Sequence, residues 1–284
     1  MSNAIFLVTS IESVNKNKFR TELKEAINNG IKVKVIIAMI ESVDSNYAFE
    51  LIKDYLKKER IEELIEIVQL SDIFASQKGI KLNNGIKNFP DLNSMTIVSN
   101  SEMIDTYIDE NGEIVAEKVS LTKSTKSKSY KLNIYSNNSL IQTIDYGSND
   151  QVMGIQKFEN EIPLENLLFN NNGELVFRFI AKKIKERNLY SLSKTSIINP
   201  PKTSFEVDKK EKGNLGNKDY IDTSDDKFAY EIIDYINYQR INGLYEFYAL
   251  LINNNVNDET RIYIDLNDNI LLANYLSNRV IFNY

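Results

Sequence analysis

Polar side chains follow three apolar runs of this sequence, at the points where predicted strands end. The runs are IFLV, KVIIAMI and RIYI. Open α/β sheets bind their ligands beyond the carboxyl ends of the strands, so these positions predict a substrate-binding cleft. The candidate substrate-binding residues are Thr9, Ser10, Glu12, Ser42, Asp265, Asn267 and Asp268.

The same residues have a purely structural interpretation as solvated turns and helix caps, and the sequence leaves both interpretations open. DLNDN, which starts at Asp265, superficially resembles a calcium loop. It lacks the glycine and the closing glutamate of such loops, so we predict no metal site. Asp268 or Asn267 is instead predicted to cap the helix that follows.

The chain has no histidine and no cysteine among its 284 residues. This composition excludes the Ser-His-Asp triad, thiolate metal ligands and most zinc sites. Carboxylates, Lys, Tyr and Ser are the groups left for catalysis, and the sequence assigns no individual catalytic residue. The sequence contains neither a phosphate loop nor a GxGxxG turn, so no cofactor is predicted.

Charge and hydropathy exclude further classes of protein. The net charge of −6 gives no general support to a nucleic-acid partner. No apolar run reaches the length of a membrane span, so no transmembrane segment is predicted. The N-terminus lacks the basic region of a signal peptide. The absence of cysteine fits a reducing compartment, and we predict a cytoplasmic protein.

Hydrophobic periodicity predicts alternating strands and helices at the start of the chain. Apolar runs predict strands at residues 5–9 and 31–40, and apolar stripes predict helices at 15–28 and 47–58. The residues after 58 either continue the second helix or form a third strand at 65–70. Near the end of the chain, RIYIDL and RVIFNY predict two more strands around a short helix. The predicted fold class is α/β, with a Rossmann-like parallel sheet.

Residues 95–180 interrupt that sheet with an antiparallel meander of about six strands. Polar turns separate its strands at Asn111-Gly112, Asn137-Asn138 and Asn172-Gly173, and the first of these is assigned to type I′. We therefore predict an inserted antiparallel β-sheet domain at residues 93–201. The Rossmann-like domain is predicted at residues 1–92 and 202–284.

The flank of the meander predicts helices and a loop. Residues from Ala181 onward have helical character, and residues 202–219 are polar and dotted with glycine, which predicts a loop. Apolar residues between 228 and 236 recur at helical spacing, and Ser224 or Asp225 is the predicted N-cap of that helix.

Two other residue types allow two interpretations each, of which the structural one is the commoner. A cluster of lysines either meets an anionic polymer or lines the polar face of an exposed hairpin. Tyr245 and Tyr248, among other tyrosines, either stack on sugar rings or pack in the interior at helical spacing. The lysines are Lys118, Lys123, Lys126, Lys128 and Lys131.

The order of an α/β segment, a long antiparallel meander and a return to α/β resembles the N-terminal half of one group of bacterial GT-B glycosyltransferases. These enzymes decorate wall teichoic acids and serine-rich surface adhesins. The resemblance implies an extended β-sheet domain inserted into the first Rossmann-like domain, and a second, donor-binding Rossmann domain beyond Tyr284. The stretches that carry it are AIFLVTSIESVNKNKFRTELKEAINNGIKVKVII, LLFNNNGELVFRFI and ETRIYIDLNDNILLANYLSNRVIFNY.

Two features of that family are missing from this sequence. SIESVNKN has no glycine where the family has a glycine-rich turn, and no histidine follows the last strand. No catalytic residue is therefore carried over. The resemblance implies the acceptor-binding half of a transferase that acts on a cell-surface polymer or protein. Such a half is expected to be inactive alone, and to be either truncated or completed by a second glycosyltransferase half or subunit.

The alternative hypothesis is a non-catalytic binding or partner subunit that uses the meander as its interaction surface. The sequence therefore leaves open whether the chain is an enzyme. The expected partners are a glycan or glycoprotein acceptor, a second glycosyltransferase half or subunit, and a second copy of the chain bound through the β-sheet domain.

Overall fold

A computed structural model describes residues 3–82, 92–101, 103–120, 129–147, 150–191, 202–203, 220–257, 259–276 and 279–284. The first elements are β1 (Asn3–Val8), α1 (Ile11–Asn15), α2 (Asn17–Asn28), β2 (Lys32–Ile37), α3 (Ser42–Glu59), β3 (Ile65–Gln69) and α4 (Leu70–Phe74). Eight strands follow: β4 (Thr96–Ser101), β5 (Ile104–Ile108), β6 (Ile114–Ser120), β7 (Tyr130–Ser136), β8 (Ser139–Tyr146), β9 (Val152–Glu159), β10 (Ile162–Phe169) and β11 (Leu175–Ser191). The last elements are β12 (Lys202–Thr203), β13 (Tyr220–Asp234), β14 (Gln239–Asn242), α5 (Leu244–Asn255), β15 (Arg261–Ile264), α6 (Leu266–Leu272) and β16 (Ile281–Asn283).

Five parallel strands form the α/β part, in the order β16-β15-β1-β2-β3. The central strand β1 places Ile5 opposite Lys34 on one side and opposite Ile262 on the other. All of β1 except its first residue is buried, as expected for a parallel strand with both faces covered. The predicted parallel sheet, formed from both ends of the chain, is confirmed.

Aromatic rings hold the core of this sheet together. The ring of Phe6 stacks on that of Tyr263, with 4.3 Å between centroids, and meets Phe19 edge-on at 5.8 Å. Tyr284 packs against Phe19 at 5.1 Å, and its hydroxyl donates to the carbonyl of Leu7. Burial raises the pKa of Tyr284 well above its ordinary value, so the hydroxyl stays protonated and remains a donor.

The second sheet is antiparallel, with strand order β14-β13-β11-β10-β9-β8-β7-β6-β5-β4 and β12 beside β11. Leu132, Ile144, Ile155 and Leu167 lie in one row across β7 to β10 and form the centre of its core. The predicted meander is confirmed, with eight strands, β4 to β11, where the sequence indicated about six.

The hairpin turns lie where the sequence predicted them, but the predicted turn type at Asn111-Gly112 is wrong. Only Gly112 is left-handed there, with φ of 80°, because the Asp109 carboxylate accepts from the backbone N–H groups of Asn111 and Glu113 and stabilises a longer turn. Asn137 and Asn138 have φ of 50° and 60°, as a type I′ turn requires.

The helices predicted after Ala181 and around residues 224–236 are wrong. Residues from Ala181 to Ser191 continue β11, and residues 220–234 form β13. Ile232 and Asp234 are buried, while Ile233 between them is partly exposed. The segment therefore has the alternation of a strand as well as apolar residues at helical spacing. Pairing with β14, which sets Ile232 opposite Ile241, decides in favour of the strand.

The chain divides into two compact units, Met1–Ile180 with Glu231–Tyr284, and Ala181–Tyr230. In the second unit β12 pairs antiparallel with β11, with Glu186 opposite Thr203. The domain boundaries proposed from the sequence stay a prediction. Most of the predicted loop at 202–219 lies outside the described residues, as do Lys123, Lys126 and Lys128.

Within the first unit, the turn between β10 and β11 is bound to the segment after α4. We call these two segments, residues 75–80 and 170–175, the seam. The Asn170 amide donates to the carbonyl of Gln77 at 2.6 Å and to the carboxylate of Glu174 at 2.9 Å. Ile80 and Leu175 exchange two backbone hydrogen bonds of 3.0 and 2.8 Å. The seam therefore fixes one edge of the meander against the α/β part.

Gly79 allows this close approach because any side chain there would meet the backbone of β11. A Cβ atom built on Gly79 would lie 2.4 Å from the carbonyl oxygen of Leu175. We expect Gly79→Ala to lower the free energy of unfolding by roughly 1–3 kcal/mol, the usual cost of overpacking. Urea unfolding measures this change. The control is Ser76→Ala at an exposed position, expected to stay within about 0.5 kcal/mol of the wild type. Equal stability of the two variants would contradict a fixed seam.

Candidate functional site

A pocket of about 330 Å³ lies at the carboxyl ends of β1 and β15. Because these strands are parallel neighbours, the residues that follow each of them come together from opposite ends of the chain. Six of the seven predicted site residues line this pocket. They are Thr9, Ser10, Glu12, Asp265, Asn267 and Asp268.

Asp265 is the most buried carboxylate of the pocket, with 3 % of its surface exposed. Its oxygens accept from the Lys16 ammonium at 2.6 Å, from the Ser13 hydroxyl at 2.8 Å and from the backbone N–H of Asn267 at 3.0 Å. Burial raises the pKa of Asp265, but the three donors outweigh it and hold that pKa below its ordinary value. Asp265 is therefore a fixed anion that organises its neighbours.

Asp268 occupies a different environment in the same pocket. It accepts from the Thr9 hydroxyl and, at 3.4 Å, from the Tyr245 hydroxyl. Burial raises the pKa of Asp268, the bond from Thr9 offsets part of that rise, and the negative charge of Asp265 adds to it. A carboxylate with a raised pKa accepts a proton more readily, so Asp268 is the better candidate for a general base.

The predicted cap of α6 is wrong by a few residues. The N-cap is Asp265, whose side chain accepts from the N–H of Asn267, whereas Asp268 lies inside the first turn. A carboxylate at the last extended residue before a helix reaches the free N–H groups of the first turn, and Asp265 holds that position. The Asp268 carboxylate does not cap the helix, and it accepts the hydrogen bond from the Thr9 hydroxyl instead.

The helices after β1 position the remaining polar groups. Ser10 caps α1, since its hydroxyl accepts from the N–H of Ser13 at 3.2 Å. Lys16 has extended backbone, which separates α1 from α2, so the helix predicted at residues 15–28 begins at Asn17 and ends at Asn28. Glu12 and Asn267 line the pocket and are exposed, so both are available to a ligand.

The seventh predicted site residue is Ser42, whose side chain lies outside the described part of the structure. It begins α3 after β2, and β2 lies on the side of β1 away from β15. Glu41 caps that helix by position, and burial together with the charge of Asp44 raises its pKa. The sequence indicated that Ser42 follows a strand but not on which side of β1 that strand lies.

Five pocket residues were not predicted as site residues from the sequence: Ser13, Lys16, Leu244, Tyr245 and Tyr248. Ser10, Ser13 and Lys16 recur at a spacing of three. This spacing is the one sequence signal that could have placed them on the same face of a helix. Tyr245 was expected to pack in the interior. Its ring meets Tyr248 edge-on at 6.1 Å, while its hydroxyl donates to Asp268, so it packs against a neighbouring ring and also lines the pocket.

The charge of the pocket limits what it can hold. Among the described lining residues, Glu12, Asp265 and Asp268 are carboxylates and Lys16 is the one cation, already paired with Asp265. A diphosphate would be repelled, whereas hydroxyl groups would find acceptors. In the described part of the chain no group of three or more acidic residues is placed to hold a metal ion.

Of the predicted basic cluster, Lys118 and Lys131 fall within the described residues. The ammonium of Lys118 lies 4.1 Å from the centre of the Tyr130 ring, a cation–π contact within the meander. This contact favours the interpretation of Lys118 as a surface residue of the sheet.

Comparison with known proteins gives a fold and no family. No protein-family model matches the chain, and no curated protein matches it. Solved structures do match. A mutant of S. aureus TarM in complex with fondaparinux, α-GlcNAc-glycerol and UDP has a TM-score of 0.53 and 13 % identity, with 98 % of this chain and 48 % of that chain covered.

Two streptococcal structures match in the same way. The pneumococcal O-GlcNAc transferase GtfA in complex with UDP and GlcNAc has a TM-score of 0.51 and 8 % identity, covering 99 % of this chain and 47 % of that chain. Accessory secretory protein 1, 2 and 3 of Streptococcus pneumoniae has a TM-score of 0.53 and 9 % identity, covering 98 % and 51 %.

These matches confirm the resemblance drawn from the sequence, as a resemblance of fold. The chain spans about half the length of the solved structures it matches. Its fold therefore corresponds to part of those proteins. In the described part of the chain no helix has the length and apolar character needed to cross a membrane.

The bond between Lys16 and Asp265 gives a prediction about stability and pH. Lys16→Met removes one donor from a buried carboxylate, so we expect a loss of roughly 1–3 kcal/mol at neutral pH. Because the pKa of Asp265 is lowered by folding, its stabilisation is present above the ordinary Asp pKa and is lost as the pH falls through the folded value. The difference between variant and wild type should therefore shrink in acid.

Thermal unfolding between neutral and acidic pH measures this difference. The matched control is Lys18→Met, which removes an ion pair between the exposed Lys18 and Glu22 and should have a much smaller effect. A Lys16→Met effect that is independent of pH would contradict the assigned role of Asp265.

Proposed function

We propose that this chain is the acceptor-binding half of a GT-B glycosyltransferase that acts on a cell-surface polymer or protein. The observation that carries the proposal is the pocket at the ends of β1 and β15, in a chain whose fold matches about half of such transferases. The exposed Glu12 and Asn267 would contact the acceptor, and Asp268 would accept the proton of its hydroxyl.

The electrostatics of the pocket support binding of an acceptor over binding of a nucleotide-sugar. Transfer from a nucleotide donor needs positive charge or a metal to stabilise the departing diphosphate. The described lining residues carry an excess of carboxylates, and the Lys16 ammonium is occupied by Asp265. The same charge favours a neutral, hydroxyl-rich acceptor, such as a Ser/Thr-rich protein segment, over a polyanionic teichoic acid.

The matched structures support the same class. One is an O-GlcNAc transferase with UDP and GlcNAc, and another is TarM with UDP and α-GlcNAc-glycerol. We propose that nucleotide-sugar binding belongs to a second glycosyltransferase half or subunit, that transfer takes place in the cytoplasm, and that the meander contacts either that subunit or a second copy of this chain.

A second candidate function is a non-catalytic partner subunit. The observation that favours it is the match to accessory secretory protein 1, 2 and 3, which covers this chain as fully as the transferases do. In this case the pocket would hold a polar segment of a partner without accepting its proton. The two candidates differ in the role of Asp268.

The first functional prediction is that these 284 residues alone transfer no sugar. The assay uses labelled UDP-glucose and UDP-N-acetylglucosamine, with and without a divalent metal, against teichoic acid and a Ser/Thr-rich peptide. A known transferase with the same acceptors serves as the positive control. Turnover by the purified chain would refute the half-enzyme proposal and reveal a donor site.

The second functional prediction concerns acceptor binding. The chain should bind the Ser/Thr-rich peptide more tightly than teichoic acid. Glu12→Ala and Asn267→Ala should each weaken peptide binding by about three- to tenfold, the worth of one hydrogen bond. Calorimetric titration measures this, with Glu25→Ala on the exposed face of α2 as the matched control. Equal affinity of all three variants would exclude the pocket as the acceptor site.

A further inference from the structure

A second cavity, of about 320 Å³, lies between the carboxyl ends of β2 and β3 and one face of the meander. Its volume falls at the lower end of the range of ligand pockets, roughly 300–1,000 Å³. One wall carries Ser45, Asn46 and Gln69, and the other carries Gln156 and Asn166. None of its lining residues belongs to the pocket at β1 and β15.

Hydrogen bonds fix the α/β wall of this cavity before any ligand arrives. The Gln69 amide donates to the Ser45 hydroxyl at 3.1 Å and to the Asn46 side chain at 2.9 Å. Gln69 and Asp72 also form a reciprocal capping box at the start of α4. Because Gln69 is held at both ends of its amide, the orientation of Asn46 is set as well.

The seam fixes the meander against this wall. Gln151, which lines the cavity, donates through its amide to the carbonyl of Asn170 at 2.9 Å. Asn171, another lining residue, donates its backbone N–H to the carbonyl of Ala75 at 2.9 Å. The cavity is therefore preformed by contacts on both sides.

Asn166 is a lining residue whose side chain takes part in none of these hydrogen bonds. It lies on β10 opposite Gln156 of β9 and Phe179 of β11, and only 5 % of its surface is exposed. Both its amide nitrogen and its amide oxygen are buried without a hydrogen-bond partner in the described structure. An unpaired buried amide destabilises the free protein, and Asn166 borders the cavity, so a ligand there is the natural partner for both atoms.

The chemistry of the walls selects the kind of ligand. The described lining residues include no lysine or arginine but include Asp72 and Asp145, which disfavours a phosphate or other anion. Tyr146 and Phe179 add apolar faces. The ligand that fits these walls is neutral and has an apolar face. It donates and accepts hydrogen bonds at neighbouring positions.

We propose that this cavity binds a neutral sugar residue, with adjacent hydroxyls paired to the two ends of the Asn166 amide. Sugar hydroxyls both donate and accept, and the C–H face of the ring packs on aromatic side chains. The proposal does not rest on the acceptor site at β1 and β15.

The experiment is saturation-transfer NMR and titration on the full chain, with glucose and N-acetylglucosamine as probes. A Ser/Thr-rich peptide and glycerol 3-phosphate are the comparison probes. Asn166→Leu keeps the volume of the side chain but removes both polar atoms. It should weaken binding of the neutral sugar about tenfold and leave Tm unchanged or raised, because the unpaired amide is gone.

Thr143→Val is the matched control. Thr143 is buried on the same face of the meander, donates to Asn133 at 3.2 Å and does not line the cavity. This variant should lower Tm and leave sugar affinity unchanged. Ser71→Phe, at a half-buried lining position, should abolish binding by filling the cavity without touching Asn166.

Four results would overturn the proposal. They are no saturation transfer to either sugar, saturation transfer to glycerol 3-phosphate instead of the sugars, unchanged sugar affinity in Asn166→Leu, and a fall in Tm in Asn166→Leu that matches Thr143→Val. Glu12→Ala separates this site from the acceptor pocket. It should leave sugar binding here unchanged, and loss of sugar binding in that variant would place the sugar at the other site.

Discussion

The parallel pairing of β1 with β15 is the contact on which the rest of the molecule depends. It sets Ile5 opposite Ile262, so strands from the two ends of the chain are neighbours in the centre of one sheet. Bringing β1 and β15 together closes a loop of about 250 residues, which costs conformational entropy, although that cost grows only slowly with loop length. Burial of both strands and the stacking of Phe6 on Tyr263 offset it. The bonds from Thr9 to Asp268 and from Ser13 to Asp265 exist only once this pairing has formed.

The chain leaves the parallel sheet after β3 and returns to it at β15. The seam fixes the position of the intervening meander against that sheet. The exchange of backbone hydrogen bonds between Ile80 and Leu175 sets the register, and the Asn170 side chain locks the turn beside it. Phe74 at the end of α4 then packs on Phe177 of β11, with 4.6 Å between ring centroids. The polar face of the meander is thereby held opposite the ends of β2 and β3, which creates the second cavity as a consequence of topology.

Features that depend on local periodicity could be predicted from the sequence. Leu132 and Ile134 alternate with polar neighbours, and both are buried as that alternation requires. The residues around Ile232 could not be predicted in this way, because they satisfy the helical period and the strand period at once, and the partner strand β14 decides between them. Six of the candidate site residues meet at one pocket, and the sequence predicted that meeting because parallel strands end at one edge of a sheet. Ser42 follows β2, and the order of strands, which places β2 and β15 on opposite sides of β1, leaves no trace in local sequence.

Electrostatics gives the two polar recesses of this fold a shared character. In the first, the cation that sequence reasoning missed, Lys16, is neutralised by Asp265, and in the second the described walls carry carboxyls without a cation. Hydroxyl groups pair well with such walls, whereas phosphate oxygens meet like charge. The described walls of both recesses therefore suit neutral hydroxyl groups, and they carry no unpaired cation that could stabilise a departing diphosphate. Under the proposed function, the charge that stabilises a departing diphosphate would come from groups outside these two recesses.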